Sequence, residues 1–261
     1  DGDEWVVNGQ KVWTSNAHMA RWGLLVTRTD PDAPKHRGLT YFAVDLEQPG
    51  VEIRPLRQLT GQAEFNEIYL TDARVAEADR MGDVGDGWRV ALTTLMNERV
   101  AIGGETRSSA KGTIDWVLEA WRDHGHDDPA RRDDLMRLWV RSETLRLNNM
   151  RAEQSRETGT PGPEGSIGKV LSAELNKDAF AFALGLTGMA GTLFDAGYDQ
   201  DQTRPALDYD SLVEYFLRVR ANSIEGGTTE VMRNILGERV LGLPGDVRVD
   251  KDVPWIEVPR S

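Results

Sequence analysis

The stretch SIEGGTTEVMRN occupies residues 223–234, and its two adjacent glycines interrupt an otherwise helical pattern. The pattern predicts one helix from Asp210 to about Asn222 and a second from Thr228 or Thr229 to about Val240. Glycines leave backbone N–H groups accessible, and the second helix points its positive end at the gap. Such a turn suits a pyrophosphate, a carbonyl or a flat ring. The alternative is an ordinary tight turn with a glycine C-cap, which the bare pattern favours.

Composition restricts the functions open to the 261-residue chain. Its net charge of −12, with no basic block, argues against nucleic acid as a ligand. The absence of cysteine excludes disulfides, thiolate catalysis and zinc–thiolate sites, and is compatible with a cytoplasmic protein. The four histidines show no metal-ligand spacing, so no metal site is predicted. No apolar run is long enough to span a membrane.

The first 80 residues have the pattern of an antiparallel β domain. Asn8-Gly9 is a strong signal for a two-residue hairpin, with a strand on either side. The apolar segment Gly23–Thr29 predicts a strand buried on both faces. Further strands are predicted at 40–44, 51–53 and 66–70. Strands at this spacing indicate a barrel or a sandwich.

The pattern becomes helical near Met81. Apolar residues at helical spacing predict one helix from Trp88 to about Asp123, a second from about Pro129 to Glu157, and a third from Ile167 to about Phe194. With the pair around the double glycine, this makes a bundle of about five helices. The sequence therefore predicts an α+β protein with a β domain at 1–80 and a helical bundle at 81–261.

Three segments carry a family resemblance. The segments Asn8–Ala17 and Gly61–Asp72, with the glycines before Trp88, resemble the flavin-facing β domain of acyl-CoA dehydrogenases. Ile224–Pro244 resembles the C-terminal signature of that family. The resemblance implies a helical, a β-barrel and a four-helix domain, FAD at a subunit interface, and a tetramer. The family's N-terminal helical domain has no counterpart in the sequence, so the chain is expected to be a fragment.

Removal of a proton from Cα of a thioester needs a carboxylate base. In one branch of the family the base is a glutamate just before the last helix; aligned on Gly227-Thr228, that position is Gly226, and Glu225 falls one residue early. A second branch resembles isovaleryl- and long-chain-type enzymes and carries the base in a Glu-Arg pair on the first bundle helix. The pair corresponds to Glu98-Arg99 here. We therefore predict Glu98 as the catalytic base, with Glu225 as the alternative; without the resemblance, Glu98 would be an exposed helix residue.

The resemblance also assigns flavin contacts on the strand. Trp13 resembles the tryptophan that packs beside the flavin ring, although a lone strand tryptophan is more often part of a core. Thr14 and Ser15 resemble the hydroxyl pair that hydrogen-bonds the edge of the flavin; the alternative is a solvent-facing strand.

The remaining assignments lie in the helical part. Gly188 and Gly191 occupy the place of a glycine-rich turn that touches FAD from a neighbouring subunit. The resemblance also implies adenosine-side contacts for Thr228 and Glu230, beside Gly227, and substrate contacts for Arg99 and Gly226. Two departures from the family bear on FAD and the oligomer: the glycine-rich turn matches only in part, and an Arg-x-x-Phe-Gly motif is missing near 129–135.

The function predicted from the resemblance is FAD-dependent α,β-desaturation of an acyl-CoA in lipid β-oxidation. The resemblance also implies that electrons pass to an electron-transfer flavoprotein and that the assembly is a homo-oligomer (a dimer of dimers) or a heterotetramer. Two alternatives stay open: a non-catalytic partner subunit of a heteromeric dehydrogenase, or another flavin reaction on the same fold, such as nitroalkane oxidation or monooxygenation.

Overall fold

A computed structural model of the chain describes residues 2–104, 112–125, 128–158, 165–194 and 211–259, with side chains omitted at 96–104 and 155–158. The chain forms two compact units. Within the described ranges, one unit holds 2–104 and 247–259, and the other holds 112–194 and 211–246. The predicted boundary near residue 80 stays a prediction. The first helix and the C-terminal segment group with the strands.

Two three-stranded antiparallel sheets build the first unit. The strands are β1 (Glu4–Ser15), β2 (Trp22–Arg28), β3 (Leu39–Asp45), β4 (Val51–Leu56), β5 (Phe65–Ala76) and β6 (Arg80–Met81). Their order is β1-β5-β4 in one sheet and β2-β3-β6 in the other. Inward-facing apolar residues of both sheets form one core that includes Leu25, Phe42, Val44, Ile68 and Leu70. With the helices of the second unit, the predicted α+β class is confirmed.

The predicted hairpin at Asn8-Gly9 is wrong, because β1 runs through it as one continuous strand paired with β5. The register shifts here because β5 contains an extra residue, and Asp72 takes a φ of 51°. Asn8 fits this bulge by donating its amide to the Asp72 carboxylate and accepting the Asp72 backbone N–H, both at 2.9 Å. Strand β2 also differs from its prediction, since Leu24 is exposed and only one of its faces is buried.

A second bulge lies near the end of β1. Between the pairs Lys11–Ile68 and Thr14–Asn66, β1 contains one residue more than β5. Trp13 lies inside this bulge with a φ of 62°. Left-handed backbone is rare for a bulky residue and costs on the order of 1–3 kcal/mol. The surrounding structure must therefore hold this end of β1 in place.

Asn66 is the residue that holds it. Its side chain is completely buried. The Asn66 amide nitrogen donates to the carbonyl of Thr14 at 3.0 Å and to that of Glu64 at 3.2 Å. Its amide oxygen lies 3.2 Å from Nδ1 of His18. One buried side chain thus satisfies backbone groups directly beside the Trp13 bulge.

Helix α1 (Gly87–Gly104) packs on the same unit. Its first residue lies against β3 so closely that a Cβ on Gly87 would come within 2.5 Å of the Thr40 carbonyl carbon. Farther along, the Tyr41 hydroxyl donates to Oγ1 of Thr94 at 3.4 Å. The first part of α1 is therefore fixed to the sheet.

The second unit is helical. Its helices are α2 (Thr113–His124), α3 (Pro129–Thr158), α4 (Gly165–Leu186), α5 (Leu212–Arg218) and α6 (Thr229–Ile235). Helix α4 contacts the other four, and Val117, Leu138, Leu175, Ala179 and Ala183 are among the core residues.

Two predicted helices are shorter than expected. The extended backbone of Gly112, with a ψ of 165°, separates α1 from α2, so no single helix runs from Trp88 to Asp123. Helix α4 ends at Leu186, where Gly188 takes a φ of 61° and a 3-10 turn follows. At Gly188 the positive φ, which favours glycine, ends the helical pattern earlier than the apolar spacing suggests, whereas Gly112 is the N-cap of α2.

Replacing Asn66 with leucine is expected to lower the free energy of unfolding by about 2 kcal/mol, since the Thr14 and Glu64 carbonyls both lose the Asn66 amide and only Glu64 keeps the backbone N–H of Asn16. Gln10→Leu is the control: it also removes a side-chain hydrogen bond from the β1–β5 pair, to Glu67, but at an exposed position. That change should stay within about 0.5 kcal/mol. Urea-induced unfolding measures both, and equal effects of the two variants would contradict the role given to Asn66.

Candidate functional site

Trp13 is presented to solvent by the bulge that strains its backbone. Its side chain is 65% exposed, and its ring touches Phe65 only edge-on, with the ring centroids 6.0 Å apart. Thr14 is partly buried and Ser15 is exposed at the end of the strand. A strained, exposed tryptophan is not a core residue, so the core alternative for Trp13 is wrong. Strain of this kind is found where a side chain is aimed at a ligand.

Helix α1 contains both members of the Glu98-Arg99 pair. The side chains of Glu98 and Arg99 lie outside the described part of the structure, so their predicted roles stay predictions. The backbone of α1 belongs to the same compact unit as Trp13, Thr14 and Ser15. Glu98 is therefore carried by the unit that presents the exposed tryptophan.

The double glycine forms the predicted turn. Gly226 and Gly227 have φ values of 63° and 98°, which favour glycine. A Cβ on Gly227 would lie 2.5 Å from Cε of Met232, so this glycine also allows close packing. A Cβ on Gly226 would meet no atom within 4 Å. The space beside Gly226 is consequently open within its own unit.

Glu225 is held within the turn itself. Arg218 donates to one oxygen of its carboxylate and Asn222 to the other, each at 2.6 Å. The Arg218 side chain is only 8% exposed, whereas that of Glu225 is 37% exposed, so the arginine is the buried member of the ion pair. The geometry thus gives Glu225 a structural role in the turn.

Thr228 caps helix α6, as the sequence predicted. Its hydroxyl oxygen accepts the backbone N–H of Val231 at 3.2 Å. Hydrogen bonds from its own backbone N–H and from Thr228 lower the pKa of Glu230, which is therefore ionised at neutral pH. Partial burial lowers the pKa of Lys169 below its usual value, and the nearby carboxylates of Glu225 and Glu230 offset only part of this effect. Lys169 also donates to the carbonyl of Asn222 at 2.7 Å.

Gly188 and Gly191 lie in the 3-10 turn that follows α4. Gly188 has positive φ with open space at its Cβ position. At Gly191, a Cβ would lie 2.5 Å from Oγ1 of Thr187 and 2.9 Å from the Leu184 carbonyl. Gly188 is needed for the backbone conformation, and Gly191 for close packing.

The structure divides the predicted residues into two sets. The strand set, Trp13, Thr14 and Ser15, shares a unit with α1, whereas 188–191 and 226–230 belong to the helical unit. The sequence interpretation missed the residues that support these sets, namely Asn66 under the bulge and Arg218 beside Glu225. A signal for Asn66 was present: it has the same strand parity as Ile68 and Leu70, which predicts an inward-facing amide.

Metal and membrane features were sought among the described residues. No cluster of three or more histidine or carboxylate side chains there could hold a metal ion. Within the same ranges, no helix has the length and apolar character needed to cross a membrane.

Family models match both parts of the chain. The acyl-CoA dehydrogenase middle domain matches residues 1–73, and the acyl-CoA dehydrogenase C-terminal domain matches residues 85–241. The acyl-CoA dehydrogenase IpdE1 of Mycobacterium tuberculosis is 39% identical over 249 residues, which cover 95% of this chain and 62% of that protein. IpdE1 of Mycolicibacterium smegmatis is 41% identical over 248 residues, covering 94% and 59%. The chain thus spans about three fifths of the length of these relatives.

Solved structures agree with this match. A structure described as the Tcur3481-Tcur3483 steroid ACAD superposes with a TM-score of 0.78 at 27% identity, covering 94% of this chain and 62% of that one. The ChsE4-ChsE5 complex from Mycobacterium tuberculosis gives a TM-score of 0.74 at 29% identity, with 94% and 63% covered. The two family models together span most of the chain in the expected order, so the chain belongs to the acyl-CoA dehydrogenase family.

Proposed function

We propose that the whole protein is an FAD-dependent acyl-CoA dehydrogenase that introduces a double bond between Cα and Cβ of an acyl thioester. The observation that carries the proposal is Trp13, a 65% exposed tryptophan held at a φ of 62° by a β-bulge. A flat aromatic ligand beside it would bury the indole and give the strained backbone a function.

The described residues fit FAD in two places. On the strand, the exposed Trp13 offers a flat face, and the two neighbouring hydroxyl residues offer hydrogen bonds to the edge of the ring. In the helical unit, glycine backbone at Gly188 and Gly226 leaves open space for close approach. The residues proposed to contact FAD are Trp13, Thr14, Ser15, Gly188, Gly191, Gly227, Thr228 and Glu230. FAD, when bound, supplies the acceptor for the hydride that leaves Cβ.

Glu98 is proposed to take the proton from Cα. The alternative base, Glu225, supports this choice, because both of its carboxylate oxygens already accept hydrogen bonds from Arg218 and Asn222. Arg99 and the open space at Gly226 are proposed to contact the acyl-CoA. The described structural relative named as a steroid ACAD supports including a bulky, ring-containing acyl group among the candidate substrates.

The proposal extends to partners and location. An electron-transfer flavoprotein is proposed to accept the electrons, and the protein is proposed to work as an oligomer in the cytoplasm. A relative solved as the ChsE4-ChsE5 complex supports the rival hypothesis, in which this chain is the non-catalytic subunit of a heteromeric dehydrogenase. Flavin content of the purified full-length protein separates the two, because the rival requires no flavin on this chain.

Replacing Glu98 with glutamine is expected to slow flavin reduction by a factor of about 10²–10⁴, since the base that removes the Cα proton is lost. The measurement is anaerobic bleaching of the flavin band of the full-length protein by a panel of linear and ring-containing acyl-CoAs.

Two glutamate variants make this test specific. Glu225→Gln should keep the bleaching rate to within about tenfold, and the exposed Glu47, whose side chain is 72% accessible, serves as the neutral control. Fast bleaching in Glu98→Gln together with slow bleaching in Glu225→Gln would transfer the base to Glu225.

Trp13→Gly is expected to leave folding stability nearly unchanged and to weaken cofactor binding. Glycine adopts positive φ without strain and little burial is lost, so the free energy of unfolding should change by less than about 1 kcal/mol. Loss of the indole should weaken FAD binding about tenfold, because a stacked aromatic contact contributes about 0.5–1.5 kcal/mol beyond the apolar area that it buries. Thermal unfolding of the apoprotein and flavin titration measure the two effects. Unchanged FAD affinity would argue against contact between Trp13 and the flavin.

A further inference from the structure

A chain of side-chain hydrogen bonds crosses the helical unit and ends at Glu225. Thr113, the first residue of α2, donates its hydroxyl to Oδ1 of Asn176 at 2.8 Å. Asn176 lies on α4 and donates its amide nitrogen to Oδ1 of Asn222 at 3.0 Å. Asn222 in turn donates its amide nitrogen to Oε1 of Glu225 at 2.6 Å. We call Thr113, Asn176 and Asn222 the polar relay, because they join three segments that are far apart in the sequence.

The direction of the polar relay is set by its last acceptor. A carboxylate can only accept hydrogen bonds, so Asn222 must turn its NH₂ group toward Glu225 and its oxygen toward Asn176. By the same reasoning Asn176 must turn its NH₂ group toward Asn222, which leaves its own oxygen to accept the hydroxyl of Thr113. Every donor of the relay therefore points toward Glu225. Hydrogen bonds aligned in this way polarise and strengthen one another.

Asn222 is also held through its backbone. Lys169, on α4, donates to the Asn222 carbonyl at 2.7 Å, so α4 holds this residue at two points. The side chains of Lys169, Asn176 and Asn222 are all half-buried, where a hydrogen bond is electrostatically stronger than in water. The short 3-10 turn Val219–Ser223, which contains Asn222 and leads to the two glycines, is thus anchored to α4.

Two adjacent glycines give the following turn wide backbone freedom. Each glycine populates positive and negative φ about equally, so residues 224–228, which we call the double-glycine turn, keep one shape only if both ends are held. On the far side, Thr228 caps α6 by accepting the N–H of Val231 at 3.2 Å. On the near side, Asn222 and Arg218 hold Glu225, which directly precedes the glycines. The polar relay therefore supplies one of the two anchors of the turn.

We propose that Asn176 and Asn222 are positioning residues, which hold the double-glycine turn in the shape that receives the adenosine side of FAD. The inference rests on the proposed function, in which Thr228 and Glu230 contact FAD. Neither asparagine is among the residues that the family resemblance assigns to the cofactor. Their contribution would be made through Glu225, at the start of the turn.

Moving the carboxylate from residue 225 to residue 222 tests the relay in the full-length protein. Asn222→Asp is expected to weaken FAD binding about tenfold, because it removes a hydrogen bond to a charged group and sets two carboxylates against each other. In the Glu225→Gln background the same substitution should cost less than about twofold, since the glutamine amide can donate to the new carboxylate. Comparison within one background cancels the effect of removing the charge partner of Arg218. Flavin titration of the apoprotein measures the affinity, and thermal unfolding shows that each variant is folded.

Asn176→Asp extends the test to α4 and carries it if Asn222→Asp fails to fold. It is expected to weaken FAD binding about threefold, and to cost less than about twofold in the Glu225→Gln background, where Asn222 can turn over and reverse the relay. Asn234→Asp is the matched control, since it adds the same charge at an exposed position of α6 and should leave the affinity within about twofold.

The outcomes separate this inference from the proposed function. Wild-type protein that binds FAD while both relay variants bind it equally well would overturn the inference alone. Equal losses of affinity in the two backgrounds would do the same, because the direction of the relay would then not matter. Wild-type protein that binds no FAD would contradict the proposed function, and the inference with it.

Discussion

A buried amide fixes the geometry on which the candidate site depends. Asn66 hydrogen-bonds the carbonyls of Thr14 and Glu64 from inside the β core, so the end of β1 cannot relax into a regular strand. Trp13 consequently stays at positive φ with its indole exposed. The cost of that conformation, on the order of 1–3 kcal/mol, is offset by the buried hydrogen bonds and by the apolar core around them. The bulge is thus a specific structural element of the sheet, stabilised by the Asn66 side chain.

The helical unit uses a comparable device at its double glycine. Arg218 and Asn222 hold both oxygens of Glu225, while the two glycines adopt positive φ in the turn that follows. Arg218 and Asn222, which hold the turn, both precede it in the chain. A Cβ on Gly226 would meet no atom within 4 Å. In this arrangement the carboxylate nearest to the glycines stabilises the turn.

Much of the fold follows from sequence patterns, and the errors have local causes. Apolar spacing predicted α3 closely, and Thr228 was correctly predicted as the cap of α6. The hairpin at Asn8-Gly9 was wrong because a two-residue signal says nothing about the partner strand; pairing with β5 and the Asp72 bulge override it. Trp13, Thr14 and Ser15 came from family resemblance, and only the structure shows that the bulge exposes the indole. Arg218 could not be predicted as the partner of Glu225, since a helical arginine has no signature for burial.

The central proposal is that the bulge in β1 places the Trp13 indole against a flavin. A crystal structure of the full-length protein with FAD tests it most directly. The account predicts the Trp13 indole in van der Waals contact with the isoalloxazine ring, with φ still positive and Asn66 still bonded to the Thr14 carbonyl. A flavin bound away from β1, with Trp13 left in solvent, would contradict the account.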